Sequence, residues 1–383
     1  MKTDVKLVPQ SSASKDTPYF DKTTTNIIKG IALIMMFVHH AFTFPEWWLE
    51  DAFYPTALKL APYFCVWLKI CVPIFCFLTG YFYYFTKRKN YGYSFRKISD
   101  VLITYWIVFA LFAILAVCCV RYQYTPLGVL REMFALDRPT MIFCWYVLFY
   151  IIVMLLLPLV VKLLVGRFAT NALICFILIP FLSGNLMNWI AISELQEIFS
   201  WLQLWFPCVL MGYLFAKHNL FQRIFDKLNG LIKLRWLNIT TWMFFAVLAV
   251  VERKYQPSLY IGMSEISLLH FVPAVTLNLD ILYAPVFVGA VANICKQCHF
   301  KPIEVVLGQI GKYSLLMWFT SCIFFGNSKT VFMPFLYFPV NPFLVTIWGL
   351  FLCFALSWSL NIVVKKVQHG KDLLIGLLKP DFK

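Results

Sequence analysis

Residues 26–46 have the sequence N-I-I-K-G-I-A-L-I-M-M-F-V-H-H-A-F-T-F-P-E. The length and apolar character of this stretch predict one helix that spans a membrane. The helix carries three ionisable residues, Lys29 near one end and His39 and His40 near the other. Ionisable groups inside a membrane helix are costly and usually face a bundle interior or a water-filled cavity. These residues are therefore candidates for a functional site.

Helical geometry separates the two histidines. From Lys29 to His40 there are eleven helical steps of about 100°, which place the two side chains within about 20° of one stripe and roughly 16 Å apart along the axis. His39 lies about 80° from that stripe. We therefore expect His40 to belong to the site and His39 to be a packing or interfacial residue. The alternative for Lys29 is that its ammonium extends to the lipid headgroups.

The composition is that of an integral membrane protein. The chain has 383 residues, of which 61% are hydrophobic and 13% charged, whereas soluble domains contain about 25% charged residues. Apolar runs recur to the C-terminus, which predicts an all-α, polytopic membrane helix bundle. The net charge of +15 does not indicate nucleic-acid binding, because the basic residues lie between apolar runs, as the positive-inside rule expects.

The apolar runs predict about ten spans with both termini cytoplasmic, because most Lys and Arg residues then fall in cytoplasmic segments. The predicted spans are residues 27–44, 61–85, 100–120, 142–161, 168–187, 199–216, 236–251, 261–294, 303–325 and 343–364. The eighth of them, Ile261 to Ile294, is either one span or a broken, re-entrant one. We divide the chain into a polar N-terminal segment (1–25), a membrane domain (26–366) and a basic tail (367–383).

The cysteines give no sign of a bound cofactor. Most of the twelve lie within apolar runs, where cysteine packs as a small hydrophobe. The stretch Cys295-Lys-Gln-Cys298-His299 matches a haem-attachment pattern. We interpret it as two incidental loop cysteines, because the predicted topology puts it on the cytoplasmic side. No metal ligands stand nearby at a suitable spacing, so neither a metal nor a bound cofactor is predicted.

Several later stretches form a series with the first helix. They are Val72-Pro-Ile-Phe-Cys-Phe-Leu-Thr-Gly-Tyr81, Arg96-Lys97-Ile-Ser-Asp-Val-Leu-Ile-Thr-Tyr105, Cys144-Trp-Tyr-Val-Leu148 and Gly311-Lys-Tyr-Ser-Leu-Leu-Met-Trp318. Together with Lys29, Gly30 and His40, their order and spacing resemble membrane acyltransferase family 3, the surface-glycan O-acyltransferases. The resemblance covers residues 27–325.

The sequence departs from the family pattern at several positions. Lys29 replaces the usual arginine, which keeps the charge but loses the planar fork. Thr79 stands where serine is usual, so the hydroxyl remains. Asp100 occupies the second basic position of its stretch, and Ser321 stands where a late histidine is frequent. That basic stretch therefore offers fewer cations to a donor, and the second histidine of the family has no counterpart at this position.

The resemblance implies transfer of an acyl group, most often acetyl, from acyl-CoA to a hydroxyl of a cell-surface glycan or its lipid-linked precursor. The protein would be a multi-pass protein of the plasma or inner membrane with acyl-CoA as co-substrate. His40 would act as the general base, or would carry the acyl group itself. The residues expected to bind donor or acceptor are Lys29, Thr79, Gly80, Arg96, Lys97, Trp145, Tyr146 and Ser314.

Each of these roles has an ordinary structural alternative. Thr79 and Gly80 also suit close helix packing. Arg96 and Lys97 also suit a positive-inside anchor, and Trp145 and Tyr146 an interfacial aromatic belt instead of a platform for sugar rings.

Two other classes of function remain open at this stage. An exporter of polysaccharide or lipid-linked sugar would use the same charged groups to line a conduit, and a broken region around Pro273 and Asp280 would suit it. The other is a non-catalytic partner of a polysaccharide synthase. A hydrolase is disfavoured, because no G-x-S-x-G elbow is present.

Overall fold

The structure, a computed structural model, describes residues 17–44, 64–179, 182–183, 192–255, 278–327 and 329–377. These residues form helices and contain no strand. In chain order the helices are α1 (Lys22–Phe42), α2 (Cys71–Tyr84), α3 (Tyr91–Val120), α4 (Pro126–Met133), α5 (Trp145–Leu163), α6 (Phe168–Leu173), α7 (Ser193–Lys217), α8 (Asp226–Leu231), α9 (Arg235–Val251), α10 (Asp280–Gln297), α11 (Lys301–Lys312), α12 (Ser314–Ser321), α13 (Lys329–Tyr337) and α14 (Pro342–Leu377).

Short turns of other helix types extend several of these elements. Val66–Ile70 is a 3₁₀ turn that leads into α2, and Cys322–Phe324 is another that follows α12. Glu252–Tyr255 continues α9 in the same way. Single π turns follow α6 at Ile174–Leu178 and precede α8 at Phe221–Phe225.

Helix α1 is the centre of the bundle. The Asp21 side chain caps its N-terminus by accepting the Thr24 N–H at 2.8 Å, which satisfies one of the unpaired amides of the first turn. Ile28, Leu33 and Phe37 are fully buried along its length. The helix packs most extensively on α11 and also contacts α2, α10, α12 and α14. Because other helices surround α1, a gap between α1 and its neighbours would be an internal cavity.

Six helical segments of the described chain are long and apolar enough to cross a membrane. They are Lys22–Phe42, Val66–Tyr84, Tyr91–Val120, Trp145–Leu163, Ser193–Lys217 and Pro342–Leu374. Each corresponds to a predicted span. The helical, membrane-spanning character of the chain is thereby supported, while the total of ten spans and the side of the termini remain predictions.

The other four predicted spans differ from these. Arg235–Val251 is helical but short for a span. The predicted span 303–325 is divided at Tyr313 into α11 and α12. The predicted span 168–187 and the ambiguous region 261–294 lie partly outside the described residues. The described part of the latter is helical from Asp280 through Pro285.

Glycines allow two helix pairs to pack at very short distance. A Cβ atom on Gly80 of α2 would lie 1.7 Å from the Val209 carbonyl oxygen of α7, and one on Gly311 of α11 would lie 1.7 Å from the Asn26 carbonyl oxygen of α1. Only glycine leaves room for such close backbone approach. These contacts set the spacing of α2 and α11, two of the helices that surround α1.

Both predicted domain boundaries fall inside continuous structure. Tyr19 and Phe20, placed in the N-terminal segment, pack on the bundle. The Tyr19 hydroxyl donates to Asp226 at 2.7 Å, and the Phe20 ring stacks on Tyr81 with centroids 5.0 Å apart. At the other end, α14 continues without a break past residue 366 to Leu377.

Candidate functional site

A cavity of about 350 Å³ lies along α1, with walls from α2, α3, α5 and α12. Lys29 and His40 both line it, as expected for two residues on the same face of α1. Seven of the nine predicted site residues line this cavity: Lys29, His40, Thr79, Lys97, Trp145, Tyr146 and Ser314. The fold therefore brings together residues that are as much as 285 positions apart in the chain.

His40 lines the cavity and packs against an aromatic ring. Its ring stacks on Phe143, with centroids 3.5 Å apart and planes 6° from parallel. Its Nδ1 atom is buried and has no hydrogen-bond partner in the part of the chain that the structure describes. Because Nδ1 is enclosed, Nε2 is the ring nitrogen that a molecule in the cavity can reach.

His39 has a different environment, although it is the adjacent residue. It is buried and does not line the cavity. Its Nδ1 lies 2.9 Å from the Cys65 carbonyl oxygen and 3.0 Å from the Thr43 hydroxyl. A buried polar group with two such partners contributes to stability. This placement agrees with the angular argument that assigned the site to His40.

A short loop before α5 holds the His40 ring in place, and the sequence pattern did not predict it. The Glu132 carboxylate accepts hydrogen bonds from the N–H groups of Thr140 and Met141, at 2.6 and 3.0 Å, and from the Thr140 hydroxyl at 3.0 Å. These bonds fix the loop that presents Phe143 to His40. Burial raises the pKa of the Glu132 carboxyl, and the three hydrogen bonds oppose this effect.

Helix α3 supports the same loop. The Tyr105 hydroxyl donates to the Glu132 carbonyl oxygen at 2.8 Å, and the Trp106 indole N–H donates to the Met133 carbonyl oxygen at 2.8 Å. The only sequence signal for this arrangement is an acidic residue in a short amphipathic segment, and that pattern does not specify a partner.

Lys29 and Lys97 form a cationic end of the cavity. Both line it, and they are close enough for their charges to repel each other. Lys29 has no salt bridge among the described residues, and Lys97 has only a long contact of 3.9 Å to Asp100. Two cations that are poorly neutralised at one end of a cavity favour an anionic ligand there.

Arg96 is not part of this end. Its side chain is exposed, does not line the cavity and pairs with Asp372 at 3.7 Å. Arg96 and Lys97 are adjacent, so they point about 100° apart on α3 and only one can face the cavity. The structure therefore places Arg96, which is predicted to bind the donor, outside this cavity.

Asp100, the departure from the family pattern, has a structural partner. Its carboxylate accepts a hydrogen bond from Lys371 of α14, and its carbonyl oxygen accepts one from the Gln368 side chain at 3.3 Å. A carboxylate at position 100 therefore attaches the C-terminal helix to α3, close to the cationic end of the cavity.

Gly80, which is also predicted to bind a substrate, lies in a contact between two helices. It does not line the cavity, because its Cα faces the α7 backbone. The neighbouring Thr79 does line the cavity, although its hydroxyl donates to the Phe75 carbonyl oxygen at 2.8 Å in the preceding turn. Packing explains Gly80, and the placement of Thr79 is compatible with ligand contact.

Aromatic side chains form the wall near His40. Trp145 and Tyr146 begin α5 and line the cavity beside Trp318 of α12, whose ring centroid is 5.7 Å from that of Tyr146. Ser314 lies at the N-terminus of α12 and also lines the cavity. This wall can accept the apolar face of a ligand, whereas its hydroxyl groups supply a few polar contacts.

A buried ion pair lies near this wall, and the sequence pattern did not predict that its two residues would pair. Arg253 donates from Nε and Nη2 to the two carboxylate oxygens of Asp280, both at 2.9 Å, and the two side chains are 8% and 0% exposed. The residues are 27 positions apart across a segment that the structure does not describe. Elsewhere in the described ranges, no three His, Cys, Asp or Glu side chains lie together as a metal site would require.

Comparison with known proteins gives a family assignment. A search of curated proteins and a search of solved structures found no match. A family model described as an acyltransferase domain, of acyltransferase family 3, matches residues 24–362. That range contains α1 from Thr24 onward, all residues that line the cavity and every predicted site residue. The chain belongs to the membrane acyltransferase family 3.

Proposed function

We propose that this protein transfers an acyl group, most often acetyl, from acyl-CoA to a hydroxyl of a cell-surface glycan or its lipid-linked precursor, in the plasma or inner membrane. One observation carries the proposal: a single cavity has two poorly neutralised cations at one end and, at the other, an imidazole with a buried nitrogen that has no partner among the described residues. The family assignment supports acyl transfer as the reaction class.

The cationic end suits the polyanionic part of the donor. Lys29 and Lys97 would bind phosphate oxygens through charge-assisted hydrogen bonds. The stretch between the two ends is lined mainly by apolar side chains, among them Met36, Val72 and Phe75. An extended pantetheine arm would lie there. The roughly 16 Å between Lys29 and His40 along α1 is a suitable length for such an arm.

The imidazole end suits the chemistry. Neutral His40 would accept the proton of the acceptor hydroxyl at Nε2 while that oxygen attacks the thioester carbonyl carbon. The tetrahedral intermediate would then collapse, the C–S bond would break, and the thiolate would leave with the proton returned by His40. The products are an ester and free CoA, and His40 is neutral again at the end of the reaction.

A covalent route uses the same geometry. Nε2 would attack the thioester itself, release CoA and later pass the acyl group to the acceptor oxygen. The two routes differ in one measurement. Release of CoA by the purified protein in the absence of any acceptor, in an amount equal to the protein, is expected for the covalent route only.

The region that suggested an exporter is described only in part, because Pro273 lies outside the described residues. Asp280 is buried in its pair with Arg253 and does not line the cavity. A charged residue held in a complete ion pair is not available to guide a substrate through a conduit. The position therefore no longer favours transport over acyl transfer.

The test of the proposed function is the mass of the surface glycan in strains with and without this chain. We expect each modified unit to be heavier by one acyl group, an acetyl group in the commonest case, when the chain is present. A matched strain with His40→Ala should give the lighter glycan. Identical masses in all three strains, with the protein present in the membrane, would contradict the proposal.

A further inference from the structure

We infer that Lys69 recognises an anionic group, a carboxylate or a phosphate, on the acceptor at the His40 end of the cavity. This inference rests on the proposed function and adds the chemical class of the acceptor. It starts from a group of indole rings beside the cavity, Trp145, Trp201 and Trp205, which we call the tryptophan cluster. The centroid of Trp145 is 5.1 Å from that of Trp201 and 6.5 Å from that of Trp205.

Three cations lie over the rings of the tryptophan cluster. Arg138 is 5.4 Å from the Trp201 centroid, Arg253 is 5.9 Å from the Trp205 centroid, and Lys69 is 6.0 Å from the same ring. Such positions are typical of cation–π contacts. The three cations thus surround a wall that continues into the cavity through Trp145.

Two of these cations are already neutralised and one is not. Arg138 pairs with Glu197 at 3.0 Å, and Arg253 forms its bidentate pair with Asp280. Lys69 has no salt bridge to any residue that the structure describes. The cluster therefore carries one uncompensated positive charge, and it belongs to Lys69.

Lys69 is accessible, whereas the groups behind it are enclosed. Its side chain is exposed, while Trp205 is 6% and Arg253 8% exposed. The ammonium lies over a buried ring of α7 and so points into the bundle. A lysine that extends to the headgroups would point away from it. A cation in a spanning segment that turns inward needs water or an anion as partner.

The location of Lys69 identifies which substrate it meets. It is close enough to interact electrostatically with His39 and His40, but it does not line the cavity itself. The reacting carbonyl would lie inside the cavity beside His40. Lys69 instead faces the part of the acceptor that extends from the cavity, and Lys29 and Lys97 at the other end face the donor.

Binding of matched probes tests the inference. The purified full-length protein in zwitterionic nanodiscs would be titrated with butyl β-glucuronide, butyl β-glucoside and butyl β-glucoside 6-phosphate by calorimetry. We expect the protein to bind at least one anionic probe roughly ten- to hundredfold more tightly than the glucoside, the range of one charge-assisted hydrogen bond. The carboxylate and phosphate probes show which anion is preferred.

Variants connect the preference to Lys69. Lys69→Gln should abolish it, and Lys69→Arg should retain it because charge is what the position supplies. Lys162→Gln, at an exposed lysine in the last turn of α5, is the control and should leave it unchanged. The melting temperature of each variant shows that the protein is folded. Equal binding of all three probes by the unmodified protein, or a preference that survives Lys69→Gln, would overturn the inference.

Two further measurements distinguish an acceptor-binding Lys69 from a lipid-binding one, and from a failure of the proposed function. In nanodiscs that contain phosphatidylglycerol, loss of the preference would assign Lys69 to a lipid headgroup and overturn the acceptor assignment. Transfer of labelled acetyl from acetyl-CoA to the same probes tests the proposed function. Lys69-dependent binding without any transfer would support the inference and contradict the proposed function. Transfer without a preference for the anionic probes would support the proposed function and contradict the inference.

Discussion

His39 and His40 show how far two adjacent residues of the same type can differ. The imidazole of His39 is occupied by the Cys65 carbonyl and the Thr43 hydroxyl. His40 stacks on Phe143 and lines the cavity. A step of about 100° around α1 produces this difference. One histidine is therefore held by hydrogen bonds, and the other faces the cavity.

The pair gives the first prediction. His40→Ala and His40→Gln should each lower acyl transfer by ~10²–10⁴-fold, the usual loss of a positioned general base, because glutamine keeps hydrogen bonding but takes no proton at neutral pH. His39→Ala should retain a substantial part of the activity. It should lower the free energy of unfolding by about 1–3 kcal/mol, because buried polar groups lose a partner.

The measurement for both histidines is product formed per amount of folded protein in the membrane, together with melting in detergent. His39→Ala provides the matched control, because it removes the same ring one position away. An active His40→Ala protein would exclude the proposed mechanism. An inactive His39→Ala protein beside an active His40→Ala protein would mean that the wrong face of α1 has been assigned.

Lys29 gives the second prediction. Lys29→Ala should raise the concentration of acyl-CoA needed for half-maximal rate, because one of the two cations at that end of the cavity is lost. Lys29→Arg should be largely tolerated, since a single positive charge is what the position supplies. Arg96→Ala is the control, because Arg96 carries the same charge nearby but pairs with Asp372 outside the cavity. An unchanged donor dependence in Lys29→Ala would instead support the headgroup role of that lysine.

At the scale of helices, close contacts through glycine set the width of the cavity. Gly30 and Gly311 bring α1 and α11 together, and Gly80 and Gly212 do the same for α2 and α7. Other faces of α1 and α2 line the cavity. If either contact were widened, residues on those faces would move relative to each other.

Two glycines of α11 give the third prediction. A Cβ at Gly311 would lie 1.7 Å from the Asn26 carbonyl oxygen, whereas one at Gly308 would meet nothing within 4 Å. Gly311→Ala should lower stability by roughly 1–3 kcal/mol through overpacking. Gly308→Ala should be neutral or stabilising by up to about 1 kcal/mol, because alanine is the better helix former.

Melting curves of the two alanine variants in the same detergent test this prediction. Gly308→Ala is the control for the substitution itself, since both positions lie on one helix three residues apart. Equal melting temperatures would show that α1 and α11 are not in contact as described.

At the scale of the whole molecule, the two ends of the described chain lie on one side of the bundle. The C-terminal helix contacts Asp100 through Lys371. Asp100 is three residues from Lys97, which lines the same end of the cavity as Lys29 in the first turns of α1. The cationic end of the cavity, the start of α1 and the end of α14 are therefore neighbours.

This arrangement gives the fourth prediction. Reporter domains fused before Met1 and after Lys383 should lie in the same compartment, and the distribution of Lys and Arg predicts the cytoplasm, where acyl-CoA is found. Reporters that are active on one side of the membrane only, fused at each terminus in turn, provide the measurement. A fusion after Phe44 is the control and should report the other side. A C-terminal reporter outside the cytoplasm would remove the basis of the donor site.

The sequence alone predicted several local features of this protein. Hydrophobic runs predicted the helices, because a chain in a bilayer must satisfy its backbone groups within each helix. The period of the helix placed Lys29 and His40 on one face, and both line the cavity. The order of the motifs predicted the family that the family model identifies.

Only the tertiary structure decided which side chains face one another. The period of one helix could not show that Gly80 contacts α7 or that Arg96 points away from the cavity. Both positions depend on how a second helix packs against the first. The partners of Glu132 and Lys69 come from other elements, and periodicity within one helix carries no information about neighbouring helices. Contacts between distant segments depend on how the whole bundle packs, which is why they became visible only in the folded chain.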